Sequence, residues 1–192
     1  MEEISDNVIQ KWSRLLDEEG FLALDGILTN TELDIYRKFY KDVMEGKLRN
    51  TVENHRHDLG SHVDQNQKGV ENITQVMWPS LFLEEHLSMH IDQSPLHIKT
   101  SKIAKGLLGE DMEFDFDMLI TKEANTKTET PWHQDESYWL DMPDKRAISF
   151  WFPMRDVGVE DGCMWFVPGP ARVFFRRLDV VASTLGHVLG SR

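Results

Sequence analysis

Residues 112–120 carry a large apolar side chain at every second position, and acidic residues fill most of the positions between them. Side chains of an extended strand point alternately to its two faces, so a period of two predicts a β-strand with one buried face. The apolar positions of this stripe are Met112, Phe114, Phe116, Met118 and Ile120. A fold that includes a β-sheet is therefore expected.

A second alternation lies in AISFWFPM, residues 147–154, with Phe150 and Phe152 on one face and Trp151 on the other. After the turn VEDG comes CMWFVPG, residues 163–169. This order is typical of an antiparallel partner strand. The two stretches predict a β-hairpin in the second half of the chain.

The first half of the chain is mainly helical by its apolar spacing and its capping residues. The predicted helix termini are Gly20 for a first helix, Thr29 and Glu32 for a second, and Ser94, Pro95 and Gly109 for a third. FLAL, residues 21–24, is predicted to be a short strand, and the polar residues 45–70 a loop. Helices followed by hairpin-joined strands predict an α+β fold.

Composition and charge limit the class of protein. A chain of 192 residues suits one domain with a substantial core. The net charge of -12 disfavours nucleic acid, because such binding depends on Lys and Arg. The single Cys163 excludes an internal disulfide framework, the start MEEISDN lacks secretory-signal features, and no apolar run reaches the roughly 20 residues of a membrane span. We expect a cytoplasmic protein without nucleic-acid or membrane partners.

The motif HQD places a histidine and an aspartate two positions apart, at His133 and Asp135. In a strand both side chains project to the same face, so both can reach one ion. One imidazole and one carboxylate are two members of the 2-His-1-carboxylate triad, which leaves positions open on Fe(II). By itself the motif is a weak signal, because a solvated junction between a loop and a strand is the more common cause of such a pattern.

Four stretches in order extend this observation: DEEGFLALDGILTNTEL, FDMLITKEANTKTETPWHQDESYW, RAISFWFPMRD and EDGCMWFVPG. Over about residues 15–169 the chain resembles the phytanoyl-CoA dioxygenase family of Fe(II)- and 2-oxoglutarate-dependent oxygenases. The resemblance implies a double-stranded β-helix, a jelly-roll or cupin-like barrel, with the N-terminal helices packed outside it. It also implies hydroxylation of a small organic or acyl-CoA-type substrate.

The resemblance also assigns roles to particular residues. His133 and Asp135 match the first two iron ligands of the family. Met118 and Trp151 match positions that line the 2-oxoglutarate pocket, although Met118 can equally be a core residue of its strand. Gln75 falls near a position where the family often has a basic residue that contacts cosubstrate or substrate.

The similarity ends after the Pro-Gly of FVPG, and residues 170–192 diverge from the family pattern. The family's distal histidine and its arginine for 2-oxoglutarate have no clear counterpart there, so the barrel is expected to be incomplete. His187 is the remaining candidate for the third ligand. The alternative is a truncated, catalytically inactive protein that binds metal weakly or has an interaction role.

Overall fold

The computed structural model describes residues 4–48, 52–58, 73–124, 130–135 and 143–169. These residues form two compact units. The sheet unit contains the described residues of 28–101 and 113–124, and the motif unit contains those of 4–27, 102–112 and 130–169. The expectation of a single domain for the whole chain stays a prediction.

The sheet unit is built on three antiparallel strands in the order β1-β2-β3. The strands are β1 (Arg56–Asp58), β2 (Ile73–Met77) and β3 (Met118–Lys122). The helices that begin in this unit are α2 (Asn30–Met44), α3 (Leu83–Leu87) and α4 (Pro95–Leu108). Helices with an antiparallel sheet confirm the α+β expectation, whereas the double-stranded β-helix stays a prediction.

The core of the sheet unit lies between the sheet and the helices. Val76 of β2 is opposite Leu119 of β3, and both side chains pack into this core. The buried members of the core cluster are Phe39, Val43, Val52, Val76, Phe82 and Leu83. Burial of several large apolar side chains at one place is the main stabilising contribution expected for a unit of this size.

The prediction of a nine-residue strand over 112–120 was wrong in its extent and in its buried face. β3 starts only at Met118, and the stripe is exposed, with Phe114 48% and Ile120 49% accessible. The β2–β3 register ends at the pair Met77 and Met118, and beyond it the Trp78 amide still donates to the Asp117 carbonyl oxygen at 2.8 Å. With a φ of 51° at Trp78, the chain then turns into a 3₁₀ helix at Pro79–Phe82. Leu119, which lies between the stripe residues Met118 and Ile120, packs against the core instead.

Two predicted helix starts are confirmed in atomic detail. At the start of α2, the Glu32 amide donates to Thr29 Oγ1 at 3.2 Å, and the Thr29 amide donates to Glu32 Oε2 at 2.7 Å. This is the reciprocal capping box that the spacing predicts. α4 begins at Pro95, directly after the fully buried Ser94, and ends before Gly109, whose φ is 126°.

The motif unit starts with α1 (Asp6–Glu19), which ends at Gly20 as predicted, with a φ of 79°. Gly106 of α4 lies against Ile9 of α1 so closely that a Cβ there would stand 2.8 Å from Ile9 Cδ1. Glycine at this position therefore permits the two helices to approach.

Two strand predictions in the motif unit were wrong. Residues 21–24 form no strand; the Phe21 ring stacks on Phe166 with centroids 4.9 Å apart. Within the described residues 143–169 the regular element is a 3₁₀ turn at Val159–Asp161, without the predicted hairpin.

In the sheet unit, the prediction of a loop over residues 45–70 was wrong in part, because the described residues of that stretch include β1.

The alternation in residues 148–154 persists without a strand. Ile148, Phe150, Phe152 and Met154 are half-buried, whereas Ser149 and Trp151 are exposed.

None of the helices among the described residues is both long and apolar enough to span a membrane.

Candidate metal and cosubstrate site

His133 and Asp135 lie together at the surface of the motif unit. The distance from His133 Nε2 to Asp135 Oδ1 is 3.4 Å, and the two side chains are 36% and 53% exposed. The predicted convergence of these two side chains is therefore present in a part of the chain that is accessible to solutes.

The backbone beside His133 determines which ring nitrogen can bind a metal. His133 Nδ1 lies 2.8 Å from the carbonyl oxygen of Pro131. A carbonyl oxygen only accepts hydrogen bonds, so Nδ1 carries the proton and donates. In the neutral imidazole, Nε2 then carries the lone pair, and this is the atom that faces Asp135. The contact with Pro131 thus orients the ring as metal-binding histidines are commonly oriented.

The carboxylate of Asp135 is held by a residue that the sequence did not indicate. Ser149 Oγ donates a hydrogen bond to Asp135 Oδ2 at 3.0 Å. The other oxygen, Oδ1, faces His133. The only available signal for Ser149 was its exposed position in the alternation of residues 148–154, which did not reveal its partner.

The donor set fits a divalent metal ion of the first transition row. Two atoms that bind one ion at right angles, with bonds of about 2.1 Å, are separated by about 3.0 Å. His133 Nε2 and Asp135 Oδ1 are 3.4 Å apart, close to that value. The close approach of two atoms that both carry lone pairs is energetically favourable when a cation or a proton lies between them. The donor types and their separation therefore fit two of the three protein positions of a facial triad.

A third ligand for this pair is not found among the residues described. In that part of the chain there is no group of three or more His, Cys, Asp or Glu side chains arranged to hold a metal. The candidate His187 lies outside the described residues. Its assignment stays a prediction.

Trp151 is 50% exposed and lies two positions from Ser149 on the same side of the alternating segment. Residues two apart in an extended segment project to one face, separated by about 6.7 Å. The indole is therefore on the side of the segment that contacts Asp135. This placement would suit a residue that lines a pocket beside a metal ion bound at Asp135.

Gln75 and Met118 lie together in the sheet unit. The Gln75 side-chain nitrogen is 3.7 Å from the Met118 sulfur, on the sheet face opposite the core. Met118 is 43% exposed, so the alternative that it is a core residue was wrong. The structure brings these two candidates together, and it brings His133, Asp135 and Ser149 together in the motif unit.

Comparison with known proteins identifies the family of this chain. The family model for phytanoyl-CoA dioxygenase (PhyH) matches residues 16–172, which confirms the resemblance over about 15–169. The chain belongs to the phytanoyl-CoA dioxygenase family. Members of this family are generally Fe(II)- and 2-oxoglutarate-dependent oxygenases.

Among curated relatives, phytanoyl-CoA dioxygenase domain-containing protein 1 of Danio rerio is 24% identical over 201 residues. That match covers 88% of this chain and 66% of the relative. The proteins of the same name from Bos taurus and Mus musculus are each 36% identical over 52 residues, which cover 27% of this chain and 18% of each relative. The chain thus spans just under two thirds of the zebrafish relative. Solved structures give no significant match.

Proposed function

We propose that this chain carries an Fe(II)- and 2-oxoglutarate-dependent oxygenase site that hydroxylates a small organic or acyl-CoA-type substrate. Family membership supports the reaction class. The observation that carries the proposal is the pairing of His133 Nε2 with Asp135 Oδ1, because neighbouring groups hold the other polar atoms of both side chains.

In this proposal His133 and Asp135 hold Fe(II), with His187 as the third protein ligand. Bound Fe(II) and 2-oxoglutarate supply oxygen activation, with succinate and carbon dioxide as coproducts. The chain's own contribution is orientation. Pro131 fixes the tautomer of His133, and Ser149 fixes one oxygen of Asp135, so the two ligand atoms are arranged before the ion arrives.

Gln75, Met118 and Trp151 are proposed to line the 2-oxoglutarate pocket. The amide of Gln75 can donate hydrogen bonds to a carboxylate, but it lacks the positive charge of the basic residue common at this position in the family. The Met118 thioether and the Trp151 indole offer apolar walls that exclude water. The double-stranded β-helix belongs to the same proposal.

The direct test measures 2-oxoglutarate decarboxylation by the full chain supplied with Fe(II), with and without candidate organic acids and acyl-CoA thioesters. We expect succinate to form only with Fe(II), and Asp135→Ala to reduce it to background. The matched control is Asp156→Ala, which removes a carboxylate elsewhere in the motif unit.

Turnover that persists in Asp135→Ala would contradict the assignment of the ligand. Absence of turnover in the wild-type chain, despite tight Fe(II) binding, would favour the metal-binding alternative without catalysis.

A further inference from the structure

Asp135 divides its two carboxylate oxygens between two neighbours. Oδ1 lies 3.4 Å from His133 Nε2, and Oδ2 accepts the Ser149 hydroxyl at 3.0 Å. Within the described part of the chain, these are the polar contacts of this side chain. We propose that Ser149 is a positioning residue that restricts Asp135 to binding metal through one oxygen. This inference rests on the proposed function of the site.

The direction of the hydrogen bond is fixed by chemistry. An ionised carboxylate only accepts, so the single hydroxyl proton of Ser149 must point to Oδ2. Hydrogen bonds to a charged acceptor are stronger than those between neutral groups. Asp135 is 53% exposed and therefore has little packing to fix its rotation. The hydroxyl of Ser149 is what holds the plane of the carboxylate.

The consequence concerns the number of positions that remain open on the ion. A carboxylate that binds through both oxygens occupies one more coordination position than a carboxylate that binds through one. A facial triad functions because three positions stay available for the cosubstrate and oxygen. The hydrogen bond from Ser149 to Oδ2 opposes rotation of the carboxylate that would bring Oδ2 onto the ion. Ser149 therefore keeps one coordination position of the ion open.

The placement of Ser149 has a structural basis. Its neighbours Ile148 and Phe150 are half-buried and anchor the segment, whereas Ser149 faces outward. The alternation that exposes Ser149 also exposes Trp151. One segment therefore supplies both the support for the ligand and a wall of the proposed pocket.

Metal binding without turnover tests this inference. Co(II) is titrated into the full chain, and affinity and visible absorption are recorded for Ser149→Thr and Ser149→Val. These two side chains have nearly the same shape, and only threonine retains the hydroxyl. We expect Ser149→Thr to bind within about threefold of wild type and Ser149→Val to bind about 10–100-fold more weakly, as for other residues that support a metal ligand.

The absorption of the Co(II) complex should also change in Ser149→Val, because a second carboxylate oxygen would alter the coordination number, and remain as wild type in Ser149→Thr. Ser80→Ala is the matched control. It removes another serine-to-aspartate hydrogen bond, from Ser80 Oγ to Asp117 Oδ1 at 2.8 Å, in the sheet unit. Its Co(II) affinity should equal that of wild type.

The outcomes separate the inference from the proposed function. If Asp135→Ala loses Co(II) while Ser149→Val retains wild-type affinity and absorption, the role of Ser149 is overturned and the metal site stands. If Asp135→Ala binds as well as wild type, or wild type does not bind, both are overturned. Should Ser149→Val fold poorly by circular dichroism, Ser149→Ala is expected to give the same loss of affinity, and wild-type affinity in that variant would overturn the inference.

Discussion

Gln75 and Met118 lie on paired strands of the sheet unit, whereas His133 and Asp135 lie in a segment of the motif unit that forms no strand. In the first case the register places the side chains, because Met77 is opposite Met118 and Gln75 opposite Ile120. In the second case two hydrogen bonds place them, one donated by His133 to the Pro131 carbonyl oxygen and one donated by Ser149 to Asp135.

The two regions also differ in how deeply their side chains are buried. The sheet unit has a cluster of six buried apolar side chains, while residues 130–135 are all exposed and none of residues 143–169 is fully buried. Apolar burial dominates stability, and polar contacts in exposed segments contribute little to it. We therefore expect the stability of the sheet unit and the proposed metal binding of the motif unit to depend on different residues, so that each can be changed separately.

The largest expected effect on stability is in the core of the sheet unit. Phe39 is 3% exposed, so Phe39→Ala should lower the free energy of unfolding by about 3–5 kcal/mol. Phe116 is 40% exposed, and Phe116→Ala should cost less than about 1 kcal/mol. Chemical denaturation followed by circular dichroism measures both. Similar losses in the two variants would show that the apolar cluster does not dominate the stability of this unit.

A smaller effect, on binding alone, is expected for Trp151. Trp151→Ala should weaken 2-oxoglutarate binding about tenfold, because an aromatic wall of the proposed pocket would be lost. Metal affinity should change little, since the ring is not a ligand. Calorimetric titration of cosubstrate into the Co(II)-loaded chain gives the first value, and Co(II) titration gives the second. Trp165→Ala is the control, a tryptophan of similar exposure in the same unit. Equal loss of both affinities in Trp151→Ala would indicate a structural role.

The smallest expected effect is the acid sensitivity of the motif unit. Hydrogen bonds from Arg146 lower the pKa of Asp144 from 3.8 to about 2. A lowered pKa in the folded state means that the contribution of Asp144 to stability is present above about pH 3.8 and is lost as the pH falls through about 2. Because the pair is exposed, added salt should weaken its contribution.

Thermal unfolding of wild type and Asp144→Asn between pH 5 and pH 2 checks this prediction. Wild type should lose its small advantage over the variant across the window from about pH 4 to about pH 2. In the background of Arg146→Met the two forms should behave alike, since the partner is missing. A constant difference between wild type and Asp144→Asn over the whole range would refute the pairing.

Local signals were predictable from the sequence because their causes lie within a few residues. The capping box of Thr29 and Glu32 and the helix ends at Gly20 and Gly109 all depend on neighbouring backbone groups. The extent of β3 did not follow from its sequence. A strand needs a partner, and β2 ends at Met77, opposite Met118. After one more backbone hydrogen bond, from Trp78 to Asp117, the partner chain turns into a 3₁₀ helix, about 40 residues earlier in the sequence than β3.

The candidate site was predictable to a similar degree. The spacing of His133 and Asp135 indicated two ligands, because residues two apart can share a face. Ser149 was not predictable, because its contact with Asp135 spans 14 positions and depends on the fold. Gln75 and Met118 were named from the resemblance, and their proximity depends on the pairing of β2 with β3.

The most direct measurement is an anaerobic Fe(II) titration of wild type and Asp135→Ala, with the free energy of unfolding of each metal-free protein determined alongside. Asp135→Ala should bind Fe(II) more than about 100-fold more weakly, exceeding the loss expected for a residue that only supports a ligand. Its unfolding free energy should stay within about 0.5 kcal/mol of wild type, since Asp135 is exposed. Unchanged Fe(II) affinity in Asp135→Ala would contradict the assignment of His133 and Asp135 as the metal site.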